Sequence, residues 1–253
     1  MLIDAHAHVD VREFDKDRDE VLSRCEILVV NAGVDLATNL ASLDLANRYG
    51  NVIPAVGFHP EFIEKADKEI NSIIPLLEKA PLISEVGLDY FWIKDEKLRK
   101  KQKEILSLFM ELGERQNKAL IIHSRGGLKE ILDMVSRFHV RFAIHGYEGS
   151  IKDALKIADM GGFISFPPII VRDKGRAEIA KTVHEDSILT ETDSPFMGPD
   201  RSRNEPCNVR LTIGKLSELR KTNSEEIEKN VEINFRNLLG PHFSSVGANL
   251  TKR

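Results

Sequence analysis

Residues 81–89 read PLISEVGLD, residues 95–116 read DEKLRKKQKEILSLFMELGERQ, and residues 118–126 read KALIIHSRG. The first and third runs are apolar over most of their length, as strands buried on both faces of a parallel sheet should be. The middle run sets Leu98, Ile105, Leu108, Phe109 and Leu112 at helical spacing, with charges on the opposite side. Strand, helix and strand make one βαβ unit, for which a right-handed crossover is expected.

The same unit repeats outward from there. Upstream lie LIDAHAHVD (2–10), EILVVNAGV (26–34) and VIPAVGFHP (52–60); downstream lie VRFAIHGYE (140–148), GGFISFPPI (161–169) and SILTETDSP (187–195). Charged amphipathic segments separate them, such as LATNLASLDLANRYG at 36–50 and SIKDALKIADM at 150–160. Eight such alternations predict an α/β fold, a single (β/α)8 TIM-type barrel. Two extra C-terminal helices are expected around NVRLTIGKLSELRK (208–221) and SEEIEKNVEINFRNLL (224–239). Ser224 reads as the N-cap of the second, with Glu225 and Glu226 in its first turn. The barrel is expected to occupy residues 1–240, and residues 241–253 a loosely held tail.

A chain of 253 residues with 42% hydrophobic content is long enough for one such barrel and its core. Ten prolines and sixteen glycines exclude a fibrous or disordered protein. The net charge of −4 supplies no global attraction for duplex nucleic acid, so a polyanion would have to be held locally. No apolar run approaches the roughly 18 residues of a membrane span. Cys25 and Cys207 form no C-x-x-C and read as two reduced thiols. With no basic and apolar leader after Met1, a cytoplasmic location is expected. No obligate protein partner is inferred.

The polar residues of the apolar runs collect at one place. Asp4, His6 and His8 occupy alternate positions of the first strand and so share one face. His59 ends the third strand, Glu85 lies in the fourth, His123 in the fifth, His145 ends the sixth, and Asp193 follows the eighth. In a (β/α)8 barrel the C-terminal strand ends carry the chemistry, while the interior is packed solid. Imidazoles and carboxylates together suit divalent zinc, manganese, cobalt, nickel or iron. Two such ions are expected, one on His6, His8 and Asp193, the other on His123 and His145, with Glu85 bridging. A metal-bridging hydroxide would then be the nucleophile, and Asp193 would take its proton and pass it to the leaving group. For Asp4 two roles stand open: orienting a histidine ligand, or satisfying backbone groups at the strand entry.

These residues carry a resemblance. From DAHAHVD through GFHPE, SEVGLDY, IIHSRGG and HGYEGS to LTETDSP and RNEP, the chain resembles the TatD-type metal-dependent hydrolases of the amidohydrolase-like group. D-x-H-x-H marks only the wider group; E-x-G-L-D-Y, H-S-R and E-T-D-S-P in this order are more specific. The resemblance implies a divalent-metal site at His6, His8, Glu85, His123, His145 and Asp193, with magnesium among the candidate ions beside zinc and manganese. It implies phosphodiester hydrolysis, with DNA as the substrate attacked from its 3′ end. His59 and Arg125 would face the substrate, Arg125 as a phosphate fork or, alternatively, in a salt bridge to a neighbouring carboxylate. Asn204 and Glu205 resemble the family's substrate-side loop. The alternative activity is hydrolysis of a small cyclic amide, lactone or phosphoester on the same barrel.

The sequence also departs from that family's pattern. Gly146, Tyr147 and Glu148 follow His145, and an acid there would repel a phosphate. Trp92, the only tryptophan, stands where an arginine is common; it either stacks on a base or packs under a loop. Among the basic residues, Arg201 and Arg203 read as the better polyanion contacts, and KLRKKQK as the solvated face of a helix.

Overall fold

The computed structural model describes residues 1–244. Its eight strands are β1 Leu2–Ala7, β2 Ile27–Ala32, β3 Val52–Val56, β4 Leu82–Asp89, β5 Ala119–Arg125, β6 Phe142–Ile144, β7 Phe163–Phe166 and β8 Ile188–Thr190. They form one sheet whose order is the chain order, β1 to β8, with parallel pairing throughout the assigned ladders. Helices alternate with the strands: α1 Arg18–Ser23, α2 Leu36–Arg48, α3 Ala66–Ile73, α4 Glu96–Arg115, α5 Leu128–Val135, α6 Ile151–Asp159 and α7 Lys174–Thr182. Two further helices, α8 Val209–Arg220 and α9 Ser224–Leu239, follow the last strand. The fold is a (β/α)8 barrel, as the alternation predicts.

The backbone packs as two compact units. The first takes Met1–Asn31 and His145–Leu238. Its core is built from strand residues such as Ile3, Val29, Phe166 and Leu189 with Phe235 and Leu238 of α9, all buried. Here β1 and the chain after β8 are stitched together. Asp193 N–H donates to His6 O at 2.8 Å, and His8 N–H donates to Ser194 O at 2.7 Å. The N-cap of α9 is Asn223, whose Oδ1 accepts from Glu226 N–H at 2.8 Å. That corrects the expectation for Ser224 by one position, because an Asn side chain just outside the helix reaches the same orphan donor.

Cys25, after α1, is bonded to Cys207, after β8, in a disulfide. This corrects the expectation of two reduced thiols: 182 positions separate them, and folding brings their Cα atoms to 6.1 Å. Among the described residues no helix is long and apolar enough to cross a membrane.

The second unit takes Ala32–Ile144 and the segment from Leu239. Its core holds Phe58, Leu82, Phe109, Leu120 and Phe142. On α4 the fully buried face centres on Gln102, Leu106, Phe109, Met110 and Leu112, whereas Leu98, Ile105 and Leu108 are only half-buried. The helix is rotated from the expected stripe, and Gln102 is drawn inward because it has partners there. Its amide donates to Pro60 O at 2.9 Å and accepts from Asp89 N–H at 3.2 Å. Where the expected tail begins, Gly240–His242 forms a single 3-10 turn, and residues 245–253 of that tail lie outside the described residues.

Candidate metal centre

In the first unit, the period of two along β1 aims His6 and His8 the same way. Both are buried, with their Nε2 atoms 3.2 Å apart. Asp193 Oδ1 lies 3.6 Å from His6 Nε2 and 3.4 Å from His8 Nε2. Asp193 holds a left-handed backbone, φ 54°, a region that Asp tolerates better than most residues. Burial opposes its charge, but His8, His6 and His145 outweigh it and hold the carboxyl below the usual range. His145, directly after β6, stacks its ring on His6 at 4.1 Å and 16°. Three imidazoles and a carboxylate thus meet in one buried cluster. The donor set fits a borderline divalent cation bound by neutral imidazole lone pairs and one carboxylate oxygen.

Asp4 settles its two open roles here. Its Oδ1 accepts from Thr192 N–H at 2.7 Å and His6 N–H at 3.3 Å, and its Oδ2 from the Thr192 hydroxyl. It therefore ties β1 to the chain after β8 through backbone and hydroxyl groups. Burial pushes its carboxyl well above the ordinary value.

In the second unit, the register of β4 against β5 shifts between Ile83 and Val86, a bulge of the kind that re-aims a side chain near a site. Glu85 sits in it, buried, with its N–H donating to Gly33 O at 2.9 Å. Gly87, opposite His123 in the ladder, has φ 156°, and a Cβ there would meet His123 O at 1.9 Å. Only glycine permits β4 and β5 to approach so closely at this point.

Glu85 Oε1 lies 2.9 Å from His123 Nδ1 and 3.2 Å from His59 Nε2. The other His123 nitrogen, Nε2, lies 3.0 Å from Asp89 Oδ2. Burial lowers the affinity of His123 for a proton, but Asp89 and Glu85 prevail and push its pKa up to about 9. His59 Nδ1 accepts from Glu61 N–H at 3.1 Å. In neutral His59 the proton is therefore on Nε2, aimed at Glu85. That makes His59 a hydrogen-bond donor beside the cluster, while Glu85 and His123 Nδ1 carry the geometry of cation ligands.

The remaining expected site residues fall differently. Asn204 is fully buried: its amide donates to Thr192 O and Phe196 O, both at 2.7 Å, and its Oδ1 accepts from Glu205 N–H and Asn208 Nδ2. Glu205 accepts from Arg203 at 2.8 Å and from Arg24. Arg203, expected to meet a polyanion, is clamped by Asp17 at 2.5 Å and 2.8 Å. Glu148, expected to repel a phosphate, accepts from Arg176 at 3.0 Å, so its charge is paired. Arg125 ends β5 with no ion pair among the described residues.

Two residues of the clusters were not assigned from the sequence. Asp89 stands in GLDY, four positions beyond Glu85; Glu191 stands in ETDSP, two before Asp193. Glu191 is fully buried, accepts from Gly146 N–H at 2.7 Å, and lies 3.9 Å from His145 Nδ1. Burial pushes its carboxyl up to about 7, against the pull of His145. A buried acid beside each histidine cluster was the available signal, since imidazole ligands need a partner on their other nitrogen.

Known proteins are similar to this chain in sequence and fold. The sequence model of the family described as TatD related DNase matches residues 3–240. An uncharacterized metal-dependent hydrolase of Methanocaldococcus jannaschii is 31% identical over 89% of this chain and 92% of its own. The human deoxyribonuclease TATDN3 is 28% identical over 94% of this chain and 93% of its own. Among solved structures, the TatD homolog YJJV of Escherichia coli superposes with a TM-score of 0.84 at 25% identity, covering 94% of this chain and 97% of that one.

Proposed function

The chain belongs to the TatD related DNase family, and from that premise we propose that it is a divalent-metal-dependent phosphodiesterase removing nucleotides from the 3′ end of DNA. That it is a metal-dependent hydrolase acting on ester bonds follows from the family itself. The observations that carry the finer reading are two imidazole–carboxylate clusters, the buried His6–His8–Asp193 in the first unit and the partly buried His59–Glu85–His123 in the second. Burying so many ionisable groups together is costly, and a cation held by them would offset that cost.

In the first unit His6, His8, His145 and Asp193 would hold a divalent cation, and in the second Glu85 and His123 would do so. In this fold the C-terminal strand ends open on one face, which supports that assignment. When bound, divalent cations supply Lewis acidity toward the phosphodiester and the attacking water. Asp193, ionised under ordinary conditions, accepts the proton of that water and returns it to the departing sugar oxygen. His59 donates from Nε2 to Glu85 and holds it in place. Asp89 fixes His123 so that Nδ1 stays on the Glu85 side. Arg125, with no ion pair among the described residues, would offer its guanidinium to a phosphate.

The test is incubation of end-labelled single-stranded and duplex DNA with the protein and Mg²⁺, Mn²⁺ or Zn²⁺. Stepwise release of mononucleotides from the 3′ end is expected. Intact DNA with every cation would refute the reading.

A further inference from the structure

Directly after β4 the chain exposes two aromatic rings. Phe91 is 49% exposed and Trp92 57%, and their rings meet edge to face with centroids 4.9 Å apart. Trp92 therefore does not pack under a loop. The Arg125 guanidinium, reaching over from the end of β5, lies 4.0 Å above the Phe91 ring and 5.9 Å from the Trp92 ring. Lys94 Nζ lies 5.3 Å from the Phe91 centroid.

This exposed pair is held still by buried groups. Asp89 Oδ1 accepts from Phe91 N–H at 2.9 Å and from Trp92 N–H at 2.8 Å. Tyr90 N–H donates to Arg125 O at 2.7 Å. Arg99 of α4 donates to Tyr90 O at 3.0 Å and to Ile93 O at 2.8 Å. Large apolar rings left in water are unfavourable, and a turn braced at this many points fixes them there at little entropic cost on binding. The rings also stand on the same carboxylate that orients His123, so whatever they hold is registered against that cluster.

We propose that Phe91, Trp92 and Arg125 form a stacking site for an unpaired nucleobase, placing a strand end against the Glu85–His123 cluster. The site rests on the phosphodiesterase reading for its role in catalysis, but not for the binding itself. Flat rings accept any base, because every base offers a π-face, and the cations at their side suit the phosphates that accompany it. A base paired within a duplex cannot reach the rings, so the site selects strand ends that are frayed or single.

Trp92 is the only tryptophan, so its emission reports this site alone. The probe is a phosphorothioate oligothymidylate, added to the metal-loaded protein, against an oligomer of equal length whose three 3′-terminal residues lack bases. Quenching by the base-bearing strand and not by the abasic one is expected. Phe91→Ala, which keeps the reporter, should weaken base-bearing binding about 5- to 100-fold while altering abasic binding less than about twofold. Trp92→Ala, followed by anisotropy of a labelled strand, should do the same. Equal quenching by both strands, or none by either, overturns the proposal. Cleavage of DNA without base-dependent quenching sinks the stacking site and leaves the nuclease reading. Base-dependent quenching without cleavage under any cation does the reverse.

Discussion

Asp89 Oδ2 lies 3.0 Å from His123 Nε2, while Oδ1 of the same carboxylate accepts the N–H groups of Phe91 and Trp92. One buried acid thus orients a histidine and shapes the loop beyond it. Asp89→Asn can still accept the loop's N–H groups but removes the charge facing His123. Cation affinity is expected to fall about 10- to 100-fold with the fold intact. Titration calorimetry with Mn²⁺ or Zn²⁺ measures this, and unchanged affinity would remove Asp89 from the site.

Protons would compete with a cation held by His123 as proposed. Its pKa is raised to about 9 without bound metal, so the ring is charged near neutrality, and a cation needs it neutral. Apparent affinity should therefore climb with pH through the range from about 6.5 to 9, by at most about tenfold per unit, then level off. For the metal-free protein the sign is opposite. A raised histidine pKa stabilises the fold fully below its unfolded value and loses that contribution as pH rises through about 9. Calorimetry in buffers of different ionisation enthalpy counts the protons released on binding.

His6→Ala combined with His123→Ala removes one imidazole from each cluster. Metal content by mass spectrometry should drop well below that of the wild type; equal content would refute both ligand assignments. Asp193→Asn alone should lower turnover about 100- to 10,000-fold, the range for losing a general base.

Gly87→Ala forces a Cβ against His123 O, 1.9 Å away, on a backbone that side chains avoid. The ladder between β4 and β5 must open, at a cost of about 3 kcal/mol or more. Denaturant unfolding reads the loss directly. A variant as stable as wild type would show that the close approach of these strands is dispensable.

Cys25–Cys207 closes a long loop, with 182 positions between the two cysteines, that takes in all of Ala32–Ile144. Cys207→Ser is expected to lower stability by about 2–4 kcal/mol, and reductant should lower the melting temperature of the wild type but not of the variant. Free-thiol labelling of the native protein gives an independent check.

Much of the candidate site was open to reading before folding. His6, His8, Glu85, His123, His145 and Asp193 stand out because a polar residue late in an apolar run is conspicuous against its neighbours. Asp89 was less visible, because the carboxylate of GLDY looks the same whether it faces water or His123. Arg203 was misleading for the same reason: its partner Asp17 is 186 positions away, and nothing local marks a guanidinium as already paired. Asn204 and Glu205 lie in the expected loop, yet their polar atoms are engaged within the protein.

Local periodicity determined the eight strands, their helices and the direction in which His6 and His8 point, since period and burial are properties of neighbouring residues. Three-dimensional packing alone decided which oxygen of Asp89 meets His123, that Cys25 meets Cys207, and that Trp92 stays in the open. Those are contacts between distant segments, set by ångström-scale geometry that no run of adjacent residues encodes.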